Sequence, residues 1–449
     1  MKRWTVATLL AFVLVAAACT GGDDGDTTGA TGGATGSTGA ATGSGSVELT
    51  MWMGYTPPPP ENEALENLSL QAIVDRFNAE RDGEIHVTMQ YVNSDNALQK
   101  ATVALQGGQA PDISYQYGTN MPQLATAPQL VDLTDRVADP AFDWEDFFEG
   151  ERAVATVNGK VYGIPALVDN LAIVYNADLF EQAGVPEPTP DWTWDDALAA
   201  AKAVTDPDTK TFGMVFPADG SETTVWQYIA MLWAAGGDIL NEDNTEAVFN
   251  SASGVRALSV LQQAQQDGSL YLDFRPDSGK YSTLFNSGKI GMVITGPWDL
   301  SGFPDVNYGV QVMPSFDPGG SHETIAGPDN WVIFDNGPER VDAAWEFLTF
   351  LASPEMILQD SLATSHLPTR ASVQDMPGFA EFDTKFPGVG AFAANLENVK
   401  KARPQIVQYP QVSSFLGQAI VSVLLGEAEP QAALDEAAEQ ANGVLAVPQ

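Results

Sequence analysis

Val47-Glu48-Leu49-Thr50-Met51-Trp52-Met53 decides how the chain is read, because its residues alternate in the two-residue period of a strand. Four prolines, Pro57 to Pro60, follow closely. They fit the interior of neither strand nor helix, so a loop must leave the strand's carboxyl end. Leu68, Ala72, Ile73 and Phe77 then share one stripe of a helix expected over 65–80. Ile85-His86-Val87-Thr88-Met89 reads as a second strand, 96–105 as a second helix, and Ala110-Pro111-Asp112-Ile113-Ser114 opens a third strand. This β-loop-α alternation predicts an open α/β sheet, and such sheets bind ligands outside the carboxyl ends of their strands. No repeat of 20–50 residues is visible, which argues against a solenoid.

Working outward, the elements remain of mixed type. Thr193-Trp194-Asp195-Asp196 starts a helix with a capping box, running through Val204. An apolar helix is expected over 226–235, stopped by Gly236-Gly237. Amphipathic helices are expected over 254–267 and 341–351, and two more at 414–425 and 430–445, with Pro430 suited to a first turn. At the other end, Lys2 and Arg3 precede an apolar run from Val6 to Val15 and then Ala16-Ala17-Ala18-Cys19, the pattern of a secretory signal over 1–18. The small residues before Cys19 resemble a bacterial lipobox, which implies a lipid on that thiol. Residues 19–46 are Gly/Thr-rich and read as a flexible tether.

Of the 449 residues, 59 are Asp or Glu and 20 are Lys or Arg, a formal net charge of −39. That charge excludes nucleic acid and anionic lipid headgroups as main partners, because both are polyanions. With 44% hydrophobic residues the chain is not an acidic disordered polymer. At about 100–200 residues per domain, two or three domains are expected. The acidity reads as a solvated coat on an exported protein.

Catalytic and metal motifs are not evident. His86, His322 and His366 stand far apart in no metal spacing, and neither a Gly-x-Ser-x-Gly elbow, a Walker loop nor a dinucleotide fingerprint occurs. No cofactor, metal or catalytic residue is therefore expected, although a glycosidase carboxylate pair stays open. The aromatics are more informative: 10 Trp, 11 Tyr and 21 Phe. Trp298 follows Gly296-Pro297, Trp331 follows Gly327-Pro328-Asp329-Asn330, Trp226 follows a polar loop, and Tyr117 ends the third strand. Aromatic planes meet the C–H face of a sugar ring, while Asp and Asn bind its hydroxyls. The alternative for each ring is a place in the half-buried core.

Several blocks together resemble the extracellular solute-binding lipoproteins of ABC importers, in the sugar-binding family typified by maltose-binding protein. They are Ala110-Pro111-Asp112-Ile113, Gly159 to Pro165, Leu171 to Asn176, Trp192-Thr193-Trp194, and above all Phe285 through Gly288-Lys289-Ile290-Gly291-Met292 to Gly296-Pro297-Trp298. Ala343 to Leu348 and Leu367-Pro368-Thr369-Arg370 add to them. The resemblance implies a two-lobe, type II periplasmic-binding-protein-like α/β fold with open mixed sheets and three hinge crossings. Lobe 1 would be 47–167 with 327–367, and lobe 2 would be 168–326 with 368–449. It further implies a non-enzymatic, monomeric protein at the extracytoplasmic membrane face, held by its lipid and delivering a carbohydrate to ABC permease subunits. Asp169, Asn170, Trp226, Trp298 and Trp331 match ligand positions. Gly54 and Tyr55 replace the family's polar residues, and Leu416 replaces an expected tryptophan near Phe415 and Tyr409. The candidate set is Tyr55, Tyr117, Asp169, Asn170, Trp226, Trp298, Asp299, Trp331 and Tyr409. A polyamine ligand and a secreted glycoside hydrolase are the rival readings.

Overall fold

The computed structural model describes residues 45–54, 70–276 and 279–447. The expected leader, Cys19, most of the tether and Tyr55 lie outside the described residues. In chain order the strands of the two large sheets are β1 (Val47–Met53), β2 (Ile85–Tyr91), β3 (Ile113–Tyr117), β4 (Ile164–Leu167), β5 (Ala172–Asn176), β6 (Phe212–Pro217), β7 (Leu270–Asp273), β8 (Ile290–Thr295), β9 (Tyr308–Gln311) and β10 (Asp329–Ile333). One sheet has the order β2-β1-β3-β10-β4 and the other β9-β5-β8-β6-β7. Both are mixed. β1 pairs in parallel with β2 and β3, whereas β10 enters antiparallel between β3 and β4. In the second sheet β8 runs parallel to β6 and antiparallel to β5.

Helices cover these sheets. Those used below are α1 (Leu70–Glu80), α2 (Trp194–Val204), α3 (Glu222–Ala234), α4 (Pro338–Leu351), α5 (Pro354–Thr364), α6 (Tyr409–Leu424) and α7 (Pro430–Leu445). Phe77 of α1 meets Phe347 of α4 edge-on at 5.0 Å over Met51, Ile113 and Ile333. On the second sheet Trp194, Ala201 and Ile229 cover Ile173, Met214 and Met292, and Phe285, Phe303 and Phe392 cover Val174 and Val293 on the opposite face. Every residue of β8 is buried, as expected of a strand covered on both faces.

The local start signals are met, with one consistent offset. Thr193 and Asp196 form the expected reciprocal cap of α2. Helices α4 and α6 begin three and five residues before their apolar stripes, because Pro338 and Pro410 occupy their first turns. Helix α3 begins at Glu222, so Trp226 lies in its second turn rather than at its start. Trp331, expected at a junction facing ligand, lies within β10 and is buried among Tyr115, Ile164 and Ile333.

Candidate functional site

A cavity of about 480 Å³ lies between the two sheets. Tyr117, Leu167, Pro217, Asp273 and Thr295, the last residues of β3, β4, β6, β7 and β8, all line it. This is the edge at which open α/β sheets leave room for a ligand. Asp329 reaches the same edge from the amino end of β10 because that strand runs antiparallel.

Trp226 and Trp298 form one wall. Their ring centroids are 5.5 Å apart with an interplanar angle of 27°. Trp298 belongs to the short 3₁₀ turn Pro297–Gly302 that follows β8, and its ring fits because Gly296 carries no Cβ. Behind Trp226 stands the Arg403 guanidinium, 5.9 Å from the ring centroid. Arg403 Nη1 donates to Glu222 Oε1 at 2.7 Å, and Tyr409 Oη donates to the same oxygen at 2.9 Å. Tyr409 is thus a buried support for Glu222, outside the residues that line this cavity. It borders a second, polar cavity with Asp95, Asp219 and Ser414.

Three segments far apart in the chain, at Asp169, Gly327 and His366–Leu367, meet at Asp169. Its backbone carbonyl accepts from Gly327 N at 2.7 Å. Its Oδ1 accepts from Leu367 N at 2.9 Å, and its Oδ2 pairs with Nδ1 of His366. Asp169 lines the cavity, but its carboxylate is engaged by His366 and the Leu367 amide. Asn170 is turned away from the cavity lining. Its Nδ2 donates to Phe392 O at 2.9 Å and its Oδ1 accepts from Asn395 at 2.7 Å. The structure therefore brings Tyr117, Asp169, Trp226, Trp298 and Asp299 to one cavity. Asn170, Trp331 and Tyr409 are absent from its lining. Glu222, Asp273, Asp329, His366 and Arg403 line it without a sequence motif to mark them. Position at a strand's carboxyl end was the available signal for Asp273.

Burial dominates the acid–base character of this region. It pushes the Asp329 carboxyl up to about 7, although Arg403, Tyr115 and Gly118 N favour the charge. Asp299, which accepts from Tyr281 Oη and Thr295 Oγ1, is pushed up to about 6 for the same reason. Asp95 also rises to about 6, through burial and the nearby Glu222 and Asp219 carboxylates. It accepts from Tyr117 and, across the gap between the sheets, from Thr223 Oγ1 at 3.2 Å. Burial disfavours the His366 imidazolium, but the Asp169 carboxylate outweighs it and the pKa ends above its ordinary value.

All four shifts have the same sign for stability. Between the ordinary carboxylate pKa and about 6–7, the folded protein holds protons that the unfolded chain has released, so stability falls as pH rises through that interval. The His366 contribution is complete below the ordinary histidine pKa and is lost as pH rises through its raised value. The unfolding midpoint is expected to be several degrees higher at pH 5 than at pH 8, and Asp329→Asn should flatten that slope. A midpoint flat over this range in thermal scans counts against the assignment.

The family model for "Bacterial extracellular solute-binding protein" matches residues 63–357. The sn-glycerol-3-phosphate-binding periplasmic protein of Escherichia coli K12 is 26% identical, over 84% of this chain and 89% of its own. An ABC transporter solute-binding protein of Thermotoga lettingae, crystallised with α-D-tagatose, superposes with a TM-score of 0.76 at 26% identity, covering 89% of this chain and 100% of its own. The cyclic α-maltosyl-1,6-maltose-binding protein of Arthrobacter globiformis gives 0.69 at 27% identity, covering 89% and 99%.

Proposed function

The chain belongs to the family of bacterial extracellular solute-binding proteins, and from that premise we propose that it captures a carbohydrate and hands it to an ABC permease. The observation that carries this reading is the pair of stacked indoles, Trp226 and Trp298, in a carboxylate-lined cavity between two sheets. Indole faces take the apolar side of a sugar ring, and carboxylates take its hydroxyls. The sugar-bound tagatose relative and the cyclic maltosyl-maltose relative support the ligand class.

Two lobes, 47–167 with 327–367 and 168–326 with 368–449, close over the ligand. They hinge near 165–170, 323–330 and 366–370, the segments that Asp169 ties together. Closure excludes water and strengthens the polar contacts inside, and the closed form is the one a permease reads. Cys19 carries a lipid that holds the tether to the outer face of the membrane. Among the described residues no helix is long and apolar enough to cross one. Isothermal titration against a panel of mono- and oligosaccharides should show heat with at least one member. Absence of both heat and thermal shift with every sugar overturns the reading. Membrane recovery of the chain, lost in Cys19→Ala, tests the anchor.

A further inference from the structure

Three polar atoms of residues that line the cavity are buried and have no hydrogen-bond partner among the described residues. They are Oδ2 of Asp273, Oε1 of Gln227 and Nε1 of Trp226, and all three side chains line the cavity. They are brought together by the fold. Asp273 ends β7 opposite Pro217, the end of β6, and α3 starts five residues after Pro217, which places Trp226 and Gln227 in its second turn. Asp273 is held rigidly: its backbone carbonyl accepts from Ala218 N at 2.8 Å and its Oδ1 from Arg275 N at 3.0 Å. It is 3% exposed, and no ion pair to it occurs among the described residues. Natural proteins rarely leave such groups unmet, and an orphan set beside an open cavity points to a ligand.

We propose that Asp273, Gln227 and Trp226 form the orienting end of the site, which selects a neutral polyhydroxylated ligand over a phosphorylated one. This rests on the carbohydrate reading given above and narrows its ligand class. The set asks for two donors, one toward Asp273 Oδ2 and one toward Gln227 Oε1, and for one acceptor toward Trp226 Nε1. Sugar hydroxyls both donate and accept, so adjacent hydroxyls on one ring or polyol chain can satisfy all three. A phosphate group offers acceptors, meets only the indole, and places its charge against the Asp273 carboxylate. The guanidinium that could compensate, Arg403, is already bonded to Glu222. Among the described residues no arginine or lysine other than Arg403 lines the cavity, so no spare guanidinium fork is available to a phosphate.

The test is isothermal titration of the full chain with D-tagatose, D-glucose, maltose, ribitol and sn-glycerol 3-phosphate. Wild type should bind at least one neutral compound and bind it at least 10-fold more tightly than sn-glycerol 3-phosphate. The nearly isosteric Asp273→Asn should weaken that neutral ligand 10–100-fold, and Gln227→Leu should weaken it at least 5-fold. Circular dichroism of both variants establishes that they fold, and either folded variant suffices. Affinities within twofold of wild type in the folded variants overturn the inference, leaving carbohydrate binding intact and a trapped water as the partner of these atoms. Tighter binding of sn-glycerol 3-phosphate than of any neutral compound also overturns it. Binding of nothing in the panel removes the carbohydrate reading and the inference with it.

Discussion

Replacing Trp226 with alanine is expected to lower affinity for the best-bound sugar by about 30-fold or more, with the fold retained. Truncating a buried aromatic anchor typically costs about 2 kcal/mol or more, and each tenfold of affinity is about 1.4 kcal/mol. Trp226 is half-buried on α3, so its removal leaves the α3 core residues Val225, Tyr228 and Ile229 in place. Its ring also braces Trp298 at 5.5 Å, so the loss spreads to the second plane. The same outcome should follow from Gly296→Ala, which deletes no aromatic. A Cβ there would stand 1.9 Å from Cζ3 of Trp298 and 2.4 Å from Cε3, so the indole must swing out of the wall. Titration calorimetry on both variants measures this, with circular dichroism as the check on folding. An affinity within threefold of wild type in both would separate the indole wall from ligand binding.

The second large effect is on stability. Asp169→Ala should cost about 3–5 kcal/mol, the range for removing one partner of a buried ion pair. The pair with His366 is almost fully buried, at 4% and 8% side-chain exposure. Alanine removes the carboxylate from beside the imidazole and takes away Oδ1, the acceptor of the Leu367 amide. Exposed pairs are a useful contrast. Arg76 and Glu80 form an i,i+4 bridge at 40% and 48% exposure, and breaking it should cost far less, because solvent screens exposed pairs. Urea denaturation of Asp169→Ala beside Glu80→Ala compares the two directly. A loss below about 1 kcal/mol for Asp169→Ala would mean that the crossings are held by their backbones alone.

Asp169 shows how a residue can be found for an incomplete reason. Its place just after the first crossing marked it as a ligand acid, and it does line the cavity. Its bonds, however, run to Gly327 and to His366–Leu367, partners 158 to 198 residues away in the chain. His366 looked like an isolated surface or structural histidine, because its partner is visible only in three dimensions. Trp298 and Trp331 make the same point in opposite directions. Both follow a Gly-Pro step, so local sequence treats them alike. Trp298 falls in a turn beyond the end of β8 and faces the cavity. Trp331 falls two residues into β10, opposite Tyr115 in the register, and its ring packs into the core.

The sequence by itself determined what depends on neighbours along the chain. The alternation of β1, the reciprocal cap of Thr193 and Asp196, the Pro430 start of α7 and the glycine that makes room for the Trp298 ring are all local, with a fixed period or a fixed spacing. Only the tertiary structure decided which strand ends converge. Asp273, Asp329 and Arg403 reach one cavity because β10 inserts antiparallel between β3 and β4 and because the C-terminal segment returns beneath α3. Strand order and crossing geometry follow from burying two whole sheets at once, a balance spread over hundreds of residues that no short window of sequence carries.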